Sequence, residues 1–172
     1  GKDTVVKYLM EAHGGIEISV SATTRAMRPG EAEGVNYYYM TNAQFEEKLA
    51  RGEILEHVNY CGKYYGTPKS EVDRGIAAGT TVVLVIEVVG AANIKRMYPE
   101  STLVFILPPS MEELAARLRG RGTEDEAAVQ KRLARAEEEL REKDAYDFAI
   151  VNDDARRCAD ELYEILRARQ SE

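Results

Sequence analysis

Hydrophobic and polar positions along the chain fall into helix-period and strand-period segments that alternate from one end to the other. Over residues 2–13 the side chains of Val5, Leu9 and Met10 share one helical face, and Gly14-Gly15 ends the segment. The alternating stretch 16–20 reads as a strand. Tyr37-Tyr38-Tyr39-Met40 is β-prone, and Thr41 with Gln44 has the spacing of a capping box for a helix reaching Ala50. Residues 54–60 and 64–65 read as two strands joined through Cys61-Gly62, with a helix over 68–78 after them. This middle third predicts a small mixed lobe.

From Thr80 the texture changes. Val82-Val83-Leu84-Val85-Ile86 is apolar on both faces, as a strand of a covered parallel sheet is. A helix over 91–97 and a strand over 103–107 follow, so the pattern predicts a parallel βαβ crossover between the two strands. Pro108-Pro109 closes the second strand. Ser110 with Glu113 caps a helix carrying Leu114 and Leu118 on one face, and Thr123 with Glu126 caps a longer one reaching Lys143. A strand over 148–151 and a helix from Ala155 complete the series, without internal repeat, low-complexity tract or flexible linker.

With 172 residues, 44% of them hydrophobic, the chain can bury a sizeable core and fits one domain better than two. Its formal net charge of -7 works against a general nucleic-acid or membrane-surface binder, since both partners are anionic. The apolar run at 82–86 ends at Glu87, far short of the roughly 20 residues a membrane helix needs. No charged-then-apolar leader opens the sequence, so a cytoplasmic protein is expected. Cys61 and Cys158 lack metal-ligand spacing and are expected as free thiols, and His13 and His57 as structural or surface residues.

On so acidic a chain, basic residues must matter locally. The segment Ser21-Ala22-Thr23-Thr24-Arg25-Ala26-Met27-Arg28 places two guanidiniums and several hydroxyls directly after a predicted strand. The planar donor fork of a guanidinium matches phosphate oxygens, and Pro29-Gly30 supplies a turn that lets Arg25 and Arg28 converge. Read alone, the loop is as readily a solvated basic segment. Gly1-Lys2-Asp3-Thr4 has the ending of a phosphate-binding P-loop at a helix start, whose strand and earlier glycine belong upstream of Gly1. By itself Lys2 reads as an ordinary surface lysine.

Taken in order, Gly1-Lys2, Ser21-x-x-x-Arg25-x-x-Arg28, Tyr37, Tyr65-Gly66-Thr67, Arg121-Gly122-Thr123 and Asn152-Asp153-Asp154 resemble the guanylate kinases, a family of P-loop nucleoside monophosphate kinases. The resemblance covers essentially the whole chain. It implies a three-layer α/β P-loop kinase fold with a parallel central sheet. The core would comprise residues 1–24, 80–116 and 133–172, with an inserted mixed GMP-binding lobe near 25–79 and a helical lid near 117–132. The implied reaction moves the γ-phosphoryl group of ATP to GMP, with Mg²⁺, giving ADP and GDP.

By match to the family's motifs, Arg25, Arg28, Tyr37 and Tyr65 would hold the GMP phosphate. Ser21, Glu56 and Thr67 would hold guanine, with Glu87 also on the GMP side. Gly1, Lys2, Asp3 and Thr4 would meet the ATP phosphates, Thr4 being the metal candidate. Arg117, Arg121 and Arg132 would join Lys2 as the cations of catalysis, and Asn152 would lie near the adenine. The implied partners are the nucleotides ATP and GMP, with neither nucleic acid nor membrane, and a monomer or homodimer.

The chain departs from the family where a carboxylate pair followed by Val-Gln-Gly is usual. It reads Val85-Ile86-Glu87-Val88-Val89-Gly90, so Glu87 keeps one carboxylate while Val85 and Val89 each replace a polar group. Asp3 stands where Ser or Gly is usual. The alternatives are a non-catalytic guanylate-kinase-like module that binds phosphopeptides, and a kinase for another nucleoside monophosphate. Such modules resemble the enzymes but lack a working P-loop and carry Pro at the position of Ser21, so Lys2 and Ser21 favour the enzyme. A chain that begins at Gly1 is expected to bind GMP better than ATP.

Overall fold

The computed structural model describes residues 2–120, 122 and 125–170. Helix α1 (Lys2–Ala12) is followed by strands β1 (Ile16–Ile18), β2 (Ala22–Thr23) and β3 (Tyr38–Tyr39). Next come α2 (Asn42–Ala50), β4 (Ile54–Tyr60), β5 (Lys63–Pro68), α3 (Lys69–Ala77), β6 (Thr81–Val83) and α4 (Val88–Met97). The remainder is β7 (Val104–Leu107), α5 (Met111–Gly120), α6 (Glu126–Leu140), a 3-10 turn (Lys143–Ala145), β8 (Phe148–Val151) and α7 (Ala155–Gln170). These elements form two compact units, one of residues 13–99 and one of residues 1–12 with 100–172.

The first unit is built on a four-stranded mixed sheet of order β3-β2-β5-β4. β4 and β5 form the expected hairpin, and its two-residue tip holds Cys61 at φ 51° and Gly62 at φ 78°, the twist a tight hairpin requires. The capping box of α2 forms in full: Thr41 Oγ1 accepts from Gln44 N at 3.1 Å, and Gln44 Oε1 accepts from Thr41 N at 2.9 Å. That helix lays Phe45, fully buried, on the ring of Tyr64 with centroids 4.8 Å apart, in a cluster with Ala22 and Ile54. Gly66 makes this packing possible, because a Cβ there would stand 2.8 Å from both Phe45 Cζ and Ile54 Cγ2. A second cluster joins Leu55, Val72 and Ile94, with Val82, Leu84 and Ile86 packed against it.

In the same unit β1 and β6 pair in parallel from Ile16 opposite Thr81 to Ile18 opposite Val83. β6 stops at Val83 rather than Ile86, because its ladder with β1 runs out once Ser19 N has bonded Val83 O at 3.0 Å. The chain then reaches Glu87, which N-caps α4. α4 thus starts at Val88, three residues before the expected Ala91; packing overrides the weak helix preference of two valines.

In the second unit α1 packs on α7, with the Arg156 guanidinium 4.2 Å from the centroid of the Tyr8 ring. Val5, Val6, Leu9, Ile150, Cys158 and Leu162 are buried. β7 and β8 pair in parallel over four residues. With β6 paired to β1 and β7 to β8, no ladder among the described residues joins β6 directly to β7, an adjacency that a βαβ crossover does not require. Ser110 Oγ accepts from Glu113 N at 3.0 Å, as its spacing predicts. The cap of α6 is Asp125, whose side chain accepts from Ala128 N at 2.8 Å; the expected Thr123 lies outside the described residues. α6 ends at Leu140 instead of Lys143, where the 3-10 turn takes over. Both cysteines are free thiols, Cys158 buried and Cys61 exposed. Among the described residues no helix is long and apolar enough to cross a membrane.

Candidate functional site

The arginine loop is shaped by its own turn. Glu31 N donates to Arg28 O at 3.0 Å across Pro29-Gly30, and Gly30 has φ 86°, a type II geometry that suits this pair of residues. The turn swings Glu31 back onto Arg25. Arg25 Nη1 donates to Glu31 Oε1 at 2.9 Å and Nη2 to Oε2 at 3.0 Å, while Nη1 also donates to Ala26 O at 2.9 Å. Glu31 Oε1 accepts further bonds from Arg28 N and from the Tyr39 hydroxyl, both at 2.9 Å. Only 13% of the Arg25 side chain and 18% of that of Glu31 remain exposed. The Arg25 bonds, with the Arg28 amide, lower the Glu31 pKa to about 2, and the same carboxylate raises that of Arg25.

Aromatic rings complete the loop. The Arg25 guanidinium lies 5.1 Å from the centroid of Tyr37, and Tyr37 meets Tyr65 edge-on at 6.0 Å and Tyr39 at 5.9 Å. Three of the four residues assigned to a phosphate, Arg25, Tyr37 and Tyr65, are therefore brought together. Arg28 is tied to them through its backbone, and its side chain is exposed. The neighbouring hydroxyls serve the sheet instead: Thr23 Oγ1 donates to Tyr64 O at 2.8 Å, and Thr24 Oγ1 accepts from Tyr64 N at 2.9 Å.

A buried carboxylate lies across the same strands. Glu56 on β4 is 7% exposed, and its Oε1 accepts from Thr67 Oγ1 on β5 at 2.6 Å. The register that sets Ala22 opposite Gly66 brings Ser21 next to Thr67, so Ser21, Thr67 and Glu56 follow one another over three adjacent strands. On its other side Glu56 leans on Gly90 in the first turn of α4, where a Cβ would come within 2.6 Å of Oε2. Burial pushes the Glu56 pKa up; the Thr67 bond opposes this and the charge of Glu87 adds to it. Glu87, exposed at the start of α4, is thus close enough for its charge to act on Glu56. A groove of about 660 Å³, lined among others by Tyr38, Tyr39, Lys48 and Asp73, contains none of the expected site residues.

The remaining expected residues belong to the second unit. Lys2, Asp3 and Thr4 form the exposed first turn of α1. Arg117 on α5 pairs with Glu113 at 3.4 Å and donates from Nη2 to Asn152 O at 3.3 Å, so the arginine and Asn152, which is 7% exposed, are neighbours. Arg132 lies on the exposed side of α6. Gly1 and Arg121 fall outside the described residues.

The loop, the buried carboxylate and the order of the motifs coincide with one known family, whose model, described as guanylate kinase, matches residues 1–169. The chain belongs to the guanylate kinase family. It is 50% identical over 154 residues to a guanylate kinase of Trichormus variabilis, covering 90% of this chain and 77% of that protein. A guanylate kinase of Symbiobacterium thermophilum is 46% identical over 171 residues, 99% of this chain and 81% of its own. A crystal structure of guanylate kinase from Anaplasma phagocytophilum matches with a TM-score of 0.78 at 38% identity, over 99% of this chain and 82% of the other. The fold class is accordingly the α/β P-loop kinase fold.

Within this guanylate kinase framework, sequence reasoning missed two residues that shape the site, Glu31 and Gly90. Glu31 follows Pro-Gly closely enough for the turn to have suggested its return onto the loop. For Gly90 the signal was the glycine kept after the substituted Val89.

Proposed function

We propose that this chain is an ATP:GMP phosphotransferase that moves the γ-phosphoryl group of ATP to GMP and releases ADP and GDP. The observation that carries the reading is the buried Glu56 carboxylate held by Thr67, across the same strands as the Arg25 loop. Guanine offers two adjacent donors, N1–H and N2–H, and a carboxylate is the acceptor that fits both. Adenine has an acceptor at N1 and would leave the carboxylate unpaired, which is how the site rejects it. Ser21 and Thr67 add hydroxyls to the guanine contacts, with Glu87 beside them. Arg25, Arg28, Tyr37 and Tyr65 take the phosphate through charge-assisted and phenolic hydrogen bonds, about twice as strong as neutral ones where a guanidinium donates.

On the ATP side, Gly1 meets the phosphates together with Lys2, Asp3 and Thr4, the last three at the start of α1, where a helix N-terminus favours anions. Arg117, Arg121 and Arg132 neutralise charge gathered between two anionic nucleotides, and Asn152 adjoins the adenine. Phosphoryl transfer needs no covalent intermediate, so the protein's contribution is positioning and electrostatic stabilisation. The exposed Thr4 hydroxyl is a hard oxygen donor of the kind Mg²⁺ accepts alongside phosphates and water. When bound, that ion would supply positive charge that draws electron density from the ATP phosphates. Residues near 25–79 act as the GMP-binding lobe and 117–132 as the lid of a core made from the rest, in a cytoplasmic monomer or homodimer.

A coupled assay of ADP release with Mg²⁺ and ATP tests the reading. ADP production that depends on GMP is the expected result. Absence of GMP-dependent turnover, with tight binding of a phosphopeptide, would replace the enzyme by a binding module.

A further inference from the structure

Glu31 is absent from the assigned substrate contacts, yet it accepts four hydrogen bonds at the centre of the arginine loop. A guanidinium has five N–H donors in fixed directions. On Arg25 both Nη1 hydrogens are taken, by Ala26 O and Glu31 Oε1, and one Nη2 hydrogen is taken by Glu31 Oε2. These bonds use the end-on fork and the outer Nη1 donor. The two donors they leave, Nε–H and the second Nη2–H, are parallel and form the side-on fork, which matches two oxygens of one phosphate. The ring of Tyr37 covers one face of the guanidinium, and Tyr65 meets that ring edge-on.

We propose that Glu31 is a positioning residue that occupies the end-on fork of Arg25 and thereby turns the side-on Nε/Nη2 fork toward the phosphate of GMP. The proposal rests on the reading that Arg25 binds that phosphate. The alternative role for a carboxylate here is a stand-in for phosphate that leaves when substrate arrives. The hydrogen bonds oppose it: departure of Glu31 would strip acceptors from the Arg28 amide and the Tyr39 hydroxyl as well as from Arg25. The carboxylate is also on a short tether, because the turn that carries it is closed by Glu31 N bonding Arg28 O.

Calorimetric titration of the full chain with GMP and with guanosine, which lacks the phosphate, separates the possibilities. Glu31→Gln keeps the shape but faces Nη1 or Nη2 with an amide donor, and GMP affinity is expected to fall by about tenfold or more. Guanosine affinity should stay within about twofold, and kcat at saturating GMP should change less than KM. Glu31→Asp, which restores the charge, is expected to recover part of the loss. Tighter GMP binding by Glu31→Gln would make the carboxylate a displaced stand-in and overturn the proposal. An equal loss for GMP and guanosine, or no loss for either, would overturn it too, the former by reducing Glu31 to scaffold. Arg25→Met tests the underlying reading separately: unchanged GMP affinity there would remove the phosphate from Arg25, whatever the Glu31 variants do.

Discussion

Gly90→Ala puts the smallest possible side chain where Glu56 now rests. The new Cβ would stand 2.6 Å from Oε2, 3.1 Å from Cδ and 3.3 Å from Cγ of Glu56. An ordinary contact requires the carboxylate to retreat by roughly 0.8 Å or more. Its other oxygen sits 2.6 Å from Thr67 Oγ1, so a shift of that size disrupts the bond's geometry unless β5 gives way with it. Weakening a buried bond to a charged group costs about 1.5–3 kcal/mol. Replacing a helical glycine by alanine gains only about 0.5–1 kcal/mol, so the steric term wins and a net loss of roughly 1–2 kcal/mol follows. For a chain of this size that lowers Tm by a few degrees, at about 2–4 °C per kcal/mol. Function should change more selectively. In the proposed pose GMP engages the carboxylate through N1–H and N2–H, whereas IMP lacks the amino group. Misplacing the acceptor is therefore expected to lower kcat/KM for GMP by about tenfold more than for IMP. Steady-state rates on both nucleotides, with a thermal melt, make the measurement. A rise in Tm together with an unchanged GMP-to-IMP ratio would refute the steric coupling of Gly90 to Glu56.

Arg117→Ala is expected to lower kcat on the order of a thousandfold with little change in the KM for GMP, and its exposed ion pair predicts little change in Tm. The Glu31 pKa is lowered to about 2, below the 4.5 of an unpaired glutamate, so its contribution to stability is present above about pH 4.5 and disappears as pH falls through about 2. Melting temperatures of Glu31→Gln should accordingly fall less steeply than those of the parent between those limits. Phe45→Ala empties the centre of the small lobe's core and is expected to cost about 3–5 kcal/mol in a denaturant titration.

The features that were legible in the sequence are those set by a few neighbouring residues. Thr41 and Gln44 gave away their helix start because a capping box needs nothing beyond four consecutive positions. Pro29-Gly30 and Cys61-Gly62 likewise declared their turns. β6 was overextended because five apolar residues in a row look alike, while the ladder ends where its partner β1 runs out. Asp125 took the cap expected of Thr123, a choice between neighbouring acceptors that spacing alone does not decide. Glu56 carried no local signal, since its burial comes from contacts with β5 and α4 that are distant in sequence. The motif pattern found it by likeness, and the geometry now gives the reason: a carboxylate wedged between a threonine and a bare glycine backbone.

Tyr38 and Tyr39 are consecutive residues of one short strand, so their side chains project to opposite faces. Each hydroxyl finds a different carboxylate, Tyr38 that of Glu71 on α3 and Tyr39 that of Glu31 in the arginine loop. Adding or deleting one residue just ahead of this pair would exchange the two faces and cost both anchors together. Exposed segments ordinarily tolerate length changes well, but between Glu31 and Tyr38 the count is constrained by parity. Homologous chains should vary here, Tyr37 aside, more in residue type than in length.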